Sequence, residues 1–236
     1  MIGAATYGQA ASQAPMPRGV VTGRVVSPAR TAYRALTGCD SAEAQIDSDR
    51  AFDRHVLASI LAVAATEPGS IVDRCGLGAN DFATLMTGFF PHISVLFSVL
   101  ATGEPAEDDE VTMLRDLLLA HRSTHGEVSR WLAALVARRA MEPNHLWEDL
   151  GLRDRSELTR LLMRHFAPLA QDNTRNMRWK RFFYRKLCED DGMVMCSTPV
   201  CSHCNDFNEC FGDESGESRM ADRRRQAELQ ASSIVS

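Results

Sequence analysis

Four cysteines near the end of the chain, read as Cys196-x4-Cys201-x2-Cys204-x5-Cys210, constrain this sequence more than any other feature. Thiolates this close in sequence converge on one inorganic centre only if the backbone between them is a loop. Gly192, Pro199 and the lack of a helical period in the stretch agree with that. Soft sulfur ligands select iron–sulfur clusters, zinc or copper(I) over magnesium or calcium. Structural zinc sites usually pair two C-x2-C knuckles, and here there is one. The Cys196, Cys201 and Cys204 spacing instead matches that of plant-type iron–sulfur proteins, whose fourth ligand lies much farther along than Cys210 does. An iron–sulfur centre is therefore the first reading, with zinc and inert thiols as alternatives. Cys188, at the end of the preceding helix, is either a fifth ligand or a structural thiol. His203, inside the loop, either tunes the centre through a hydrogen bond to sulfur or faces solvent.

The rest of the chain reads as helix. Residues 1 to about 45 are rich in Ala, Gly, Ser and Pro and have few large apolar side chains, which predicts a mobile arm. From residue 46 to 187 apolar residues recur at three- and four-residue intervals. Phe52, Val56, Leu57, Ile60 and Leu61 mark a helix ending before Pro68-Gly69. After a loop carrying Gly76 and Gly78, Asn80 or Asp81 caps a second, and a third follows Pro91 with Leu96, Val99 and Leu100 inward. The acids of GEPAEDDE introduce VTMLRDLLLAHR, complementing the positive end of its dipole. Further helices are expected over Glu127 to Met141, with Arg130, Arg138 and Arg139 off the apolar face, over NHLWEDLGL, and over RSELTRLLMRHF with Ser156 as N-cap. The last runs from about Ala170 to Leu187. The expected architecture is all-α: one helical domain, a Cys-rich metal-binding loop over 188–212, and a polar tail over 213–236.

With 236 residues and 44% hydrophobic content the chain can bury a sizeable core. A net charge of -5 argues against a general nucleic-acid binder. Arg175, Arg178, Lys180, Arg181, Arg185 and Lys186 form a local exception interleaved with aromatics. Their position just before the cysteines suggests attraction of a small anion, stabilisation of an anionic cluster or docking of an acidic partner, against the plainer reading of a solvated helix face. No signal-peptide pattern or membrane-length apolar run is present, so a cytoplasmic, membrane-free protein is expected. His121 and His125, four apart, lack an acidic third ligand nearby, and His92, His145 and His165 read as packed or capping residues. Cys39 and Cys75 read as bystanders. The chain has no G-x-x-x-x-G-K-S/T loop, G-x-S-x-G elbow or H-E-x-x-H, and no enzyme activity is expected.

The run MRWKRFFYRKLCEDDG, the four-cysteine motif after it and Phe211-Gly212 resemble the NifQ family of nitrogen fixation proteins. FFP at 89–91, LLLAHR at 117–122, WLA at 131–133, HLWEDLGL at 145–152 and RSELTRLLMRHFAPLA at 155–170 are similar to that family in the same order. The resemblance implies an iron–sulfur protein that takes up molybdenum, from molybdate or a molybdenum–sulfur precursor, for assembly of the nitrogenase iron–molybdenum cofactor. It implies Cys196, Cys201, Cys204 and Cys210 as ligands of a cluster, of three-iron four-sulfur type in one reading. It also implies transfer to the scaffold NifEN together with the iron protein NifH. A three-iron cluster is a cube missing one metal, and its spare corner suits a heterometal. An iron–sulfur electron carrier or redox sensor, or a zinc-stabilised interaction module, are the other functions the cysteines permit.

Overall fold

The computed structural model describes residues 27–96 and 101–190, and all regular structure among the described residues is helical. Caps written into the sequence set most helix starts. A side-chain oxygen that accepts an otherwise unsatisfied first-turn N–H contributes about 1 kcal/mol. Ser27 does this for α1 (Pro28–Thr37), which Gly38 closes at φ 86 before a 3-10 turn, Ser41–Glu43. Ser48 caps α2 (Asp49–Ala64), and Ser70 caps α3 (Ile71–Cys75). Helix α4 (Ala79–Phe89) starts from Gly78 without a side-chain cap. Asp108 accepts from Glu110 and Val111 to start α5 (Asp109–Ala120), and α6 (Glu127–Ala140) follows. After the short α7 (Leu146–Asp149), Asp154 caps α8 (Arg155–His165). Pro168 sits in the first turn of α9 (Ala167–Asp172), where its missing N–H costs nothing. The last described helix is α10 (Trp179–Asp190).

Helices α2 and α6 form the centre. Phe52, Val56, Leu57, Ile60 and Leu61 of α2 and Leu132, Leu135 and Val136 of α6 are all buried. Helix α1 packs on α2, α5 on α6, α3 on both α2 and α6, and α10 on α5. One continuous apolar cluster runs from Tyr33 in α1 to Phe183 in α10.

Several local expectations are corrected. From Ser27 onward the predicted mobile arm is a capped helix, because Tyr33 and Leu36, three apart, bury completely against the core. An apolar pair at helical spacing outweighs a polar average. Residues before 27 lie outside the described residues. The glycine loop contains α3. Gly78, not Asn80 or Asp81, starts α4, since Asp81 instead pairs with Arg130 of α6 at 2.5 Å. Asp154 caps α8, and Ser156 donates its N–H and hydroxyl to Asp154. Leu96 and its neighbour Val95 are exposed, while Val99 and Leu100 lie outside the described residues. The single last helix is two. Between them the Asn173 side chain accepts from the Met177 N–H at 2.8 Å and donates to the Met177 carbonyl at 2.9 Å. Asn176 turns the chain at φ 53, a left-handed conformation that Asn tolerates better than most residues.

Two buried polar groups tie the helical layers. Asp53 on α2 accepts from Arg164 Nε at 2.8 Å and pairs with His165 Nε2 at 2.9 Å, both on α8. Glu157 on α8 meets His55 Nε2 at 3.1 Å, and His55 Nδ1 meets the Tyr33 hydroxyl at 2.7 Å, so one line of polar contacts crosses α8, α2 and α1. Burial pushes both carboxyls up. The His165 and Arg164 contacts outweigh it for Asp53, the His55 and Arg153 contacts for Glu157, and both end below the ordinary carboxylate range.

A carboxyl depressed on folding stabilises the protein above its unfolded pKa and stops doing so as pH falls through its folded value. Stability measured by urea denaturation is therefore expected to hold from neutral pH to about 5 and to decline steeply below about 4. Asp53→Asn should flatten that decline, and a wild-type curve level down to pH 3 would refute the assignment. Gly151 closes α7 at φ 68, where an added Cβ would lie 2.6 Å from Val63 Cγ2 and 2.8 Å from the Ser59 carbonyl. Strain and overpacking together predict a loss of about 2–4 kcal/mol for Gly151→Ala in the same assay.

Candidate metal centre

The cysteine segment follows α10 in sequence, so what fixes α10 fixes the described residues that lead to the candidate centre. Trp179, Phe182 and Phe183 are buried on one side of the helix, with Trp179 edge-on to Phe182 at 5.8 Å between ring centroids. On another side Lys180 reaches inward. Its Nζ donates to Asp149 Oδ2 at 2.6 Å and to the Glu142 carbonyl. Tyr184 donates its hydroxyl to Glu110 of α5.

Asp149 is itself only 2% exposed and sits in a larger polar lattice. Asn144 donates to its Oδ1 at 2.9 Å, and Arg139 Nε donates to its backbone carbonyl at 2.9 Å. Arg139, 1% exposed, places its other two nitrogens on Glu67 at 2.6 and 2.7 Å. The lattice thus joins the loop after α2 to α6, α7 and α10. Burial pushes the Lys180 ammonium down in pKa, and Asp149 and Glu142 offset only part of that. For Glu67 burial acts upward, yet the Arg139 fork wins and leaves the carboxyl low. Such pairs fix geometry more than they add net stability, because desolvating the charges consumes most of their attraction.

The cationic run on α10 therefore has structural partners. Besides Lys180, Arg185 meets Glu189 at 2.8 Å and Lys186 meets Asp172 at 2.9 Å. The interleaved aromatics Trp179, Phe182 and Phe183 face the core, so they offer bases no stacking platform. The plainer reading of an amphipathic helix accounts for the pattern on the aromatic side.

Cys188 is half-buried on α10. Cys196, Cys201, Cys204, Cys210 and His203 lie outside the described residues. Cys75 is fully buried, and desolvation pushes its thiol up to about 12, which disfavours the thiolate that a metal would need. Cys39 follows α1, half-buried beside Thr37. His121 Nδ1 contacts the Leu117 carbonyl at 2.9 Å, and His125 is exposed beyond the helix end. His165 is packed as expected, the N–H of His145 is held by Glu148 at 3.2 Å, and His92 contacts the Ala35 carbonyl while exposed. Among the described residues no group of three His, Cys, Asp or Glu is placed to hold a metal.

Arg139 and Asp149 escaped the sequence reading, although a signal for Arg139 was there. Leu132, Leu135, Val136 and Arg139 follow the i, i+3, i+4, i+7 rule, which puts the arginine on the apolar stripe rather than off it. Asp149 carries no comparable mark in a four-residue helix.

An all-α scaffold that pins its last helix by buried ion pairs and runs from it into four closely spaced thiols defines a class of cysteine-bearing helical proteins. The NifQ family matches residues 56–212, a range that opens in α2 and closes two residues after Cys210. The chain is 39% identical over 177 residues to the "Protein NifQ homolog" of Sinorhizobium fredii, covering 73% of this chain and 77% of that one. It is 39% identical over 160 residues to "Protein NifQ" of Rhodobacter capsulatus, covering 67% and 87%. With "Protein NifQ" of Azotobacter vinelandii it shares 40% over 151 residues, 59% and 77% of the two chains. The chain belongs to the NifQ family of nitrogen fixation proteins. No solved structure matches it.

Removing the Lys180 ammonium would leave Asp149 buried with Asn144 as its remaining side-chain partner. Lys180→Ala is expected to lower stability by about 2–4 kcal/mol, read from chemical denaturation. Lys180→Arg should recover part of it, and a change under about 0.5 kcal/mol for the alanine variant would show that the pair does not anchor α10.

Proposed function

We propose that this protein is a carrier of molybdenum for biosynthesis of the nitrogenase iron–molybdenum cofactor, holding its cargo in an iron–sulfur cluster bound by Cys196, Cys201, Cys204 and Cys210. The observation that carries the reading is the family match, whose range takes in all four cysteines and ends just after the last. The donor set fits the group: four closely spaced thiols favour iron–sulfur chemistry over a hard cation. Bound by these cysteines, such a cluster would supply sulfides to which a heterometal can attach.

The chain's own residues do the rest. With a three-iron cluster, four thiolates would leave one to hold the incoming molybdenum. The buried Cys75 stays out of the competition because its thiol keeps its proton. The lattice of Arg139, Glu67, Asp149 and Lys180 fixes the helix that precedes the thiols in sequence. The protein turns over no organic substrate and acts in the cytoplasm on molybdate or a molybdenum–sulfur precursor. The scaffold NifEN, together with the iron protein NifH, is the proposed destination. Among the described residues no helix is long and apolar enough to cross a membrane.

Protein purified without oxygen is expected to be brown and to contain iron, acid-labile sulfide and molybdenum. Cys201→Ala should lose at least about nine-tenths of the iron while keeping its helical circular dichroism, since the described core has its own apolar faces. A colourless wild-type protein with zinc alone would replace this function with the interaction-module reading. Iron and sulfide without transferable molybdenum would favour an electron carrier or redox sensor.

A further inference from the structure

A cleft of about 370 Å³ lies between the α9–α10 connection and the last turns of α10. Among the described residues Arg175, Arg185 and Lys186 line it, together with the carboxylates Asp172 and Glu189, three cations against two anions. Met177 and Phe182, each 5% exposed, form an apolar floor that limits access of water from below. Low-dielectric walls beneath a ring of charge strengthen attraction for a counter-ion.

The two acids hold their cations in an exchangeable way. Arg185 Nε donates to Glu189 Oε1 at 2.8 Å, and Lys186 Nζ lies 2.9 Å from Asp172 Oδ2 and 4.0 Å from Glu189 Oε2. The Asp172 and Glu189 side chains are 51% and 45% exposed, and ion pairs of that kind contribute little. A doubly charged anion that brings four oxygens can replace both carboxylates at once, because a guanidinium fork and an ammonium are matched to such oxygens. Swinging either acid into solvent costs little.

We propose that this cleft is a binding site for a small tetrahedral oxyanion, lined by Arg175, Arg185 and Lys186 and gated by Asp172 and Glu189. The choice of molybdate as that oxyanion rests on the proposed function; the preference for an oxyanion rests on the cleft alone. Glu189 stands seven positions before Cys196, so the site places a hard oxygen-bound form of the metal next in sequence to the soft thiols. Separate stations suit the two chemistries, since cations recognise the oxyanion and sulfur recognises the metal once its oxygens are gone.

Equilibrium dialysis of the full chain, prepared without oxygen, against molybdate, tungstate, sulfate and phosphate at fixed ionic strength tests this. Saturable molybdate binding is expected, weakened at least tenfold in the double variant Arg185→Gln/Lys186→Gln. Glu189→Gln should bind several-fold more tightly, because it removes the competing carboxylate. A purely structural ion pair predicts no gain, so unchanged or weaker binding by Glu189→Gln overturns the proposal even if the double variant fails to fold. Cys201→Ala, lacking the cluster, should lose thiol-held molybdenum yet keep the molybdate binding that Arg185→Gln/Lys186→Gln weakens. If Cys201→Ala abolishes binding and the cleft variants leave it intact, the cleft is refuted and the thiol-held cargo stands. Tighter binding of phosphate or sulfate that responds to the cleft variants in the same way supports the oxyanion site and takes molybdate out of it.

Discussion

A charged arginine lies at the centre of this helical core, and the elements around it are arranged to answer that charge. Arg139 is inaccessible, so each of its nitrogens needs a partner inside the protein. Glu67 arrives from the loop after α2 and the Asp149 carbonyl from α7. Asp149, buried in turn, requires a cation, and Lys180 brings α10 to it. The position of the last helix is thus a consequence of satisfying one buried guanidinium through two intermediates. An apolar face alone would leave α10 free to slide or rotate over α5, whereas a chain of matched charges permits one arrangement.

The same logic recurs on the other side of the molecule. Asp53 with Arg164 and His165, and Glu157 with His55 and Tyr33, lock α2 to α8 and α1 to α2 through groups that leave no room for slippage. Arg160 lies over the Phe52 ring at 4.0 Å, adding a cation–π contact at that junction. Short helices with short caps gain little stability individually. Their mutual placement is specified by these few polar contacts within a continuous apolar cluster.

Helix existence was legible in the sequence where local chemistry decided it. The acids before α5, the apolar stripes of α2 and α6, and Pro168 in the first turn of α9 all acted as their residue types dictate. What escaped depended on partners distant in sequence. Asp81 looks like a cap until Arg130, 49 residues away, claims it. Lys180 looks solvated until Asp149 is placed beneath it, and the break at Asn173 to Asn176 needs a side chain that imitates a turn. The first helix was hidden by its neighbourhood, since only Tyr33 and Leu36 among many small residues anchor it. The cysteine pattern was plain in the sequence because ligand spacing is a local property. Family membership then came from a match along two thirds of the chain, well beyond the cysteines.

The ends of α10 differ in how they are held. Its beginning is embedded among Trp179, Phe182, Phe183 and the Lys180 ion pair, while its final turn leans on Asp172 and Glu189, which water already reaches. Firmness is therefore graded along a single rod, stiff at the hilt and compliant toward the thiols. Fraying would therefore begin in the outermost turn, where water competes for both ion pairs, before it reaches the Lys180 anchor.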